Sequence, residues 1–304
     1  MKNIYILFIV LAISNSACAQ TNTDTLFIAH WNVENLFDTT DDPKTEDEEY
    51  LPTSEKEWND ERLDKKMYNL SRVIRSMNND LGPDLLGVCE VEHQFLLDTT
   101  INKYLSDKSY KTAYLESLDG RGIDNGIIFN SKRFSLLDVK GHRVDLGDGY
   151  DTRYILEGIF LFEKKDTIYF FVNHWPSRRG GEEESEPKRI AAAKTIRVEV
   201  QSILTKNRNS KIIIVGDFND EPTNISITEY LKAQPFFCDS LDHEKLPEDS
   251  GTDCRGFRIG STAGRPDDFT FRGRLDLACQ RHPHLGLRCP QLTRWRWIDQ
   301  PRRY

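Results

Sequence analysis

The chain has 304 residues, is 38% hydrophobic and 30% charged, and carries a formal net charge of -8, which leaves room for one large α/β domain or two ordinary ones. The acidic balance excludes a protein that coats nucleic acid through a globally basic surface, so any polyanionic substrate must be met by a local cationic groove. No internal repeat or low-complexity linker divides the sequence, and one domain is the simpler reading.

Residues 1–19 have the form of a signal peptide. Lys2 supplies a positive start, Ile4 to Ile13 an apolar core, and Ala17-Cys18-Ala19 a small-residue cleavage site. The apolar run is too short for a membrane span, so no stable membrane insertion is expected. Cys18 offers a lipoprotein alternative, but Asn15 stands where such a motif carries an apolar residue. Cleavage after Ala19 and export to the periplasm or the extracellular space follow. Five cysteines would remain, Cys89, Cys238, Cys254, Cys279 and Cys289, an odd set without metal-site spacing. Export permits a disulfide among them without demanding one.

Residues 25–33, T-L-F-I-A-H-W-N-V, read as a first strand, and an acidic, turn-rich loop follows over residues 38–49. Leu63, Met67, Leu70, Ile74 and Met77 recur at alternating steps of four and three, which predicts a helix over residues 60–77 with one apolar face. The run Leu85-Leu86-Gly87-Val88-Cys89 stops at Glu90-Val91-Glu92-His93. Further strands are expected at residues 126–129, 155–162 and 167–172, then a helix over 187–204 and a strand over 211–215. Strands that alternate with helices but also arrive in runs indicate a mixed-sheet α/β sandwich.

Residues 251–304 differ from the rest, with 11 arginines and no lysine, and no periodic apolar segment.

Four places share one pattern, an apolar run that ends in side chains able to touch metal or phosphate. They are His30-Trp31-Asn32-Val33-Glu34-Asn35, Val88-Cys89-Glu90-Val91-Glu92, Val172-Asn173-His174-Trp175-Pro176-Ser177-Arg178 and Gly216-Asp217-Phe218-Asn219-Asp220. Strand ends are where α/β sheets usually hold ligands. Each end taken singly also has an ordinary reading: Asp and Asn as turn formers, Glu90 as a paired structural carboxylate, His174 as a satisfied core histidine.

Taken together and in order, W-N-V-E-N-L-F-D at 31–38, P-D-L-L-G-V-C-E-V-E at 83–92, R-G-I-D-N-G-I-I-F at 121–129, N-H-W-P-S-R at 173–178 and G-D-F-N-D at 216–220 resemble the endonuclease/exonuclease/phosphatase superfamily of metal-dependent phosphodiesterases. The resemblance implies an α/β (α+β) fold, a four-layered sandwich of two packed mixed β-sheets flanked by helices, over residues 20–250. It places a divalent cation, Mg²⁺ with Mn²⁺ as a substitute, at Glu90, with Asn32 and Glu34 beside it. Such a cation suits a site with few protein oxygens because it keeps waters and accepts substrate phosphate. The resemblance also implies that Asp217 activates the attacking water, that Asn219 donates its amide to the phosphoryl oxygen, and that His174 bonds phosphate or assists the leaving oxygen. Arg121, Asn125 and Arg178 are the implied substrate contacts. A solvated basic turn remains the other reading of Arg178 and Arg179. Cys89 replaces the glutamine common before the metal glutamate and reads as a small buried residue.

Members of this superfamily close with a strand bearing an aspartate and then an Asp-His pair, and residues 251–304 contain no such pair. Back-translating residues 260–270 and reading one nucleotide later permits G-Q-L-L-D-V-L-M-I-S, a plausible closing strand. A frameshift between Ser250 and Gly260 would therefore account for the arginine-rich tail, leaving a domain without its final strands and a tail expected to be poorly ordered. The expected function is that of an exported, monomeric, low-specificity endonuclease or exonuclease acting on nucleic acid. The alternatives are a lipid phosphodiesterase or sugar-phosphate phosphatase, or a binding protein with impaired catalysis.

Overall fold

The computed structural model describes residues 25–235 and, beyond them, the backbone of three short strands, Phe257–Arg258, Arg274–Asp276 and Gln291–Arg296. The expected signal peptide lies outside the described residues, as does the expected tail apart from those strands.

Burial sorts the side chains into three apolar layers, and these define the architecture. Strand β1 (Thr25–Leu36) sends Phe27, Ala29, Trp31 and Val33 to one face and Leu26 and Ile28 to the other, as a period of two requires. The first set packs with helix α1 (Asp60–Ser76) through Leu63, Met67, Leu70 and Ile74. Asn59 caps α1 by accepting the Arg62 amide at 3.1 Å, while Asp60 and Glu61 in its first turn favour the helix dipole. Helix α2 (Gln94–Tyr104) adds Leu96, Leu97 and Ile101 to the same layer.

The second face of β1 meets the other sheet. Strands β2 (Leu85–Val91), β3 (Tyr110–Tyr114) and β4 (Asp124–Asn130) extend the first sheet from β1 in the order β1-β2-β4-β3. The second sheet runs in the order β5 (Phe134–His142), β6 (Ile155–Phe162), β7 (Asp166–His174), β8 (Lys211–Asp217). Leu85, Cys89, Ile127, Phe160, Phe170 and Val172 lie between the sheets, each fully buried, and each large apolar side chain stabilises by about 1.5–3 kcal/mol. Gly87 marks the closest approach, since a Cβ there would lie 2.9 Å from methyl groups of both Val172 and Val215. On the far side of the second sheet, helix α3 (Glu182–Lys206) buries Ala192, Ala193, Ile196 and Val200.

The order is therefore helix, sheet, sheet, helix. Pairs β1/β2 and β7/β8 are parallel, whereas β2/β4, β3/β4, β5/β6 and β6/β7 are antiparallel, so both sheets are mixed. Strand β9 (Gln234–Pro235) pairs with β10 (Phe257–Arg258), and β11 (Arg274–Asp276) pairs with β12 (Gln291–Arg296), which joins β1 antiparallel. Among the described residues no helix is long and apolar enough to cross a membrane.

The expected elements at residues 60–77 and 155–162 fall within one residue of the observed ones. Helix α3 instead begins five residues before the expected start at Pro187. Its extra turn is favoured by Glu182, Glu183 and Glu184 against the helix dipole, and Arg189 Nη2 donates to the Glu182 carbonyl at 2.9 Å.

Candidate active site

Strands β1 and β2 run in register until Asn32 faces Cys89, and there the ladder slips: the next pair is Leu36 with Val91. The slip is built from Glu34, Asn35 and Glu90, at φ of 57°, 63° and 64°. Such left-handed non-glycine residues cost of order 1–3 kcal/mol each and persist only where the surroundings hold them. Two clamps do so. Lys66 of α1 donates Nζ to the Glu34 carbonyl at 2.5 Å, and the Tyr114 hydroxyl lies 2.6 Å from the Glu92 carbonyl and 3.0 Å from that of Val91. The result is a re-aimed Glu90, whose Oε1 accepts the Asn32 amide at 2.9 Å and lies 3.8 Å from His174 Nε2.

The second sheet reaches the same place without a slip. Strands β7 and β8 stay paired through Asn173 with Gly216 and His174 with Asp217. Gly216 sits at φ 153°, and a Cβ there would be 2.3 Å from the Asn173 carbonyl oxygen. Asp217 Oδ2 accepts the Asn32 amide at 3.2 Å, and its Oδ1 accepts the Asn219 backbone amide at 3.1 Å. Asn219, at φ 51°, donates Nδ2 to the Trp175 carbonyl at 2.9 Å, which leaves its second amide hydrogen. The residues that follow the two strand ends, Trp175 and Phe218, are buried and meet edge to face at 4.9 Å.

Electrostatics then fix protonation. Burial, with the cationic Arg153 and Arg121 and the His30 ring nearby, holds His174 well below the usual imidazole range, so it is neutral at pH 7. Its Nδ1 is buried with no hydrogen-bond partner. His30 drops to about 4 through burial, against the pull of Asp217, and lies 3.0 Å from the Cys89 sulfur. Burial pushes the Cys89 thiol up, so this cysteine is no thiolate nucleophile. Burial also holds the Lys66 ammonium below its ordinary range despite Glu34 and Glu90.

Asn32, Glu90, His174, Asp217 and Asn219 are thus brought together, with Glu34 in the bulge beside them. Asn125 donates Nδ2 to the Tyr154 carbonyl at 2.8 Å, and its buried Oδ1 has no partner. Arg121 donates Nη2 to Asn35 Oδ1 at 2.5 Å, and its charge reaches His174. Arg178 is placed differently. Its Nε donates to the Asn219 carbonyl at 2.8 Å, and its Nη groups lie 3.2 Å from Glu182 and 3.5 Å from Asp220, so it braces the turn after β8 from behind. Asp220 itself is fully buried in an ion pair with Arg189, at 2.5 Å, and also accepts from Ser226 Oγ.

Arg153 is the residue that no motif indicated. It donates to Asp119 at 3.2 Å and to the Trp175 carbonyl at 3.0 Å, leaving a buried Nε without a partner beside the site. Carboxylates at Glu90 and Asp217, bridged by one amide, with unpartnered polar atoms of His174, Asn125 and Arg153 around them, form a donor set that fits a hard divalent cation and an oxyanion.

Comparison with curated protein sequences gives no match. Among solved structures, truncated Caenorhabditis elegans TDP2 has a TM-score of 0.56 at 15% identity, covering 90% of this chain and 98% of that one. D. rerio TDP2 humanized by 14 mutations has a TM-score of 0.54 at 15% identity, over 90% of this chain and 100% of that one. D. rerio TDP2 complexed with a single strand DNA product has a TM-score of 0.50 at 15% identity, over 89% and 98%. At such identities the likeness is one of fold. The sequence itself matches the Endonuclease/Exonuclease/phosphatase family over residues 27–243, more than half of its length, and the chain belongs to that family, whose members are mostly metal-dependent phosphodiester hydrolases.

Proposed function

We propose that this chain is an exported, divalent-metal-dependent phosphodiesterase that hydrolyses nucleic-acid backbones with little regard to sequence. The observation that carries the reading is the Asn32 amide held between Glu90 and Asp217, at the meeting of two sheet ends, beside a neutral His174 with a buried unpartnered Nδ1. In this reading Glu90 holds Mg²⁺ or Mn²⁺, with Asn32 and Glu34 shaping the pocket. The bound cation would neutralise phosphate charge as a Lewis acid.

Asp217 orients the attacking water and takes its proton, its position fixed by Asn32 on one oxygen and the Asn219 amide on the other. The free amide hydrogen of Asn219 points to the phosphoryl oxygen where charge builds. A neutral His174 serves by donating a hydrogen bond rather than by giving up a proton at pH 7. Arg121 and Arg153 supply the local positive field that a chain of net charge -8 otherwise lacks.

Groups that touch phosphate bind any sequence, which favours low specificity. The DNA complex of the D. rerio neighbour supports nucleic acid over the lipid and sugar-phosphate substrates. Export rests on Lys2, the apolar run and Ala17-Cys18-Ala19, and N-terminal sequencing of the mature protein should begin at Gln20.

A substrate panel with Mg²⁺ and with chelator tests the activity: plasmid DNA, RNA, sphingomyelin and inositol phosphates. Nicking or degradation of DNA or RNA that chelator abolishes is expected. Hydrolysis of sphingomyelin or inositol phosphate alone would move the assignment within the family, and cation-dependent binding of DNA without turnover would identify a binding protein.

A further inference from the structure

A second group of metal-ligating side chains stands beside the first and shares no residue with it. Asp38 lies two residues past the end of β1, and Glu92 and His93 directly follow β2; one ligand atom from each lies within 4.8 Å of the others. That separation is the span of opposite ligands around an ion with bonds of about 2.0–2.4 Å.

Glu92 of the group and the neighbouring Asp47 are buried carboxylates. Glu92 is 2% exposed and Asp47 is 1% exposed. Asp47 stands at the start of the short 3-10 turn Glu48–Tyr50, where an aspartate normally accepts the first amides, yet it makes no such bond. Its Oδ2 takes the Asp42 amide at 3.0 Å, and its Oδ1 is buried without a partner. Asp47 is close enough to Glu92 for the two carboxylates to repel each other. Among the described residues, no lysine or arginine pairs with Asp38, Asp47 or Glu92. Buried carboxylates without a lysine or arginine partner suit a bound cation. His93 lies 2.9 Å from Glu116, and a carboxylate that holds the ring is common company for a metal-bound imidazole.

We propose that Asp38, Glu92 and His93 bind a second divalent cation, with the buried Asp47 carboxylate near Glu92. Mixed carboxylate and imidazole ligation selects Mn²⁺ or Zn²⁺ over Mg²⁺. Such an ion ties the acidic loop to the ends of β1 and β2 and so steadies the bulge that aims Glu90.

The test is calorimetric titration of the full chain carrying E90Q and D217N, which removes the carboxylates of the other pocket and needs no activity. One equivalent of Mn²⁺ or Zn²⁺ should bind, and adding D38N or H93Q, both at partly exposed positions, should weaken it about tenfold or more. Equal binding of Ca²⁺, insensitive to H93Q, would overturn the histidine ligand and with it the proposed site. Absence of saturable binding for all three cations, or binding that neither D38N nor H93Q alters, overturns the proposal.

Discussion

The two sheets deliver side chains to one site by opposite means. The second sheet keeps its ladder intact to the last pair, His174 with Asp217, and these two side chains leave adjacent strands at the same level. The first sheet breaks its ladder between Asn32 and Leu36 and holds Glu34, Asn35 and Glu90 in left-handed backbone to aim one carboxylate. Regular pairing fixes position through many equivalent hydrogen bonds, whereas the bulge depends on a few specific clamps. Damage to the regular end should therefore act on chemistry or on the whole fold, and damage to the bulged end on metal affinity and local order.

The sharpest contrast comes from Asp217→Ala. In a Mg²⁺-dependent phosphodiesterase assay, kcat should fall about 10³-fold with little change in melting temperature, as loss of a general base predicts. Activity that survives the change would remove Asp217 from its role. Gly216→Ala attacks the same strand through its backbone, because the new Cβ meets Asn173 main-chain and Cβ atoms at 2.3–2.8 Å. A loss of about 2–3 kcal/mol in urea unfolding is expected, and a neutral result would show that β7 can give way.

Asn32→Ala tests the joint between the two ends, since this amide bonds to Glu90 and Asp217 together. The Mg²⁺ concentration for half-maximal activity should rise about tenfold to a hundredfold, with a smaller effect on saturated rate.

The smallest effect concerns the clamp on the bulge. Asp124 faces Val91 across the slip and lies 3.3 Å from the Tyr114 hydroxyl, and burial raises its carboxyl to about 6. A raised carboxyl binds its proton more tightly in the folded state, so stability increases as pH falls from 7 toward 5, by about 1 kcal/mol. Comparison with Asp124→Asn isolates the contribution, because other carboxyls titrate equally in both proteins. Identical pH slopes would refute it.

This contrast also marks what the sequence could reveal. Periodicity exposed α1, β6 and β8, whose apolar residues repeat at 3.6 or run unbroken between turns. Helix α2 escaped because it opens on His93 without a capping bond and buries few apolar side chains, and β5 because four of its residues in a row are exposed. His174 and Asp217 were legible as polar stops on apolar strands. The aim of Glu90 was not, since β2 slips there by one residue against β4, which reverses which way a side chain points, and no residue type announces it. The placements of Arg178 and Arg153 were hidden for a related reason. Both lie in irregular segments between elements, and only tertiary packing decides that one braces Asn219 and Asp220 while the other lies beside His174.

Trp175 and Phe218 give the site a particular thermal character. Each immediately follows a residue of the candidate site, and each ring is locked against the other within the layer beneath α3. His174 and Asp217 cannot swing without lifting an aromatic out of that layer. Heat inactivation of this half of the site should thus coincide with cooperative melting of the second sheet, and cooling should restore both in one step.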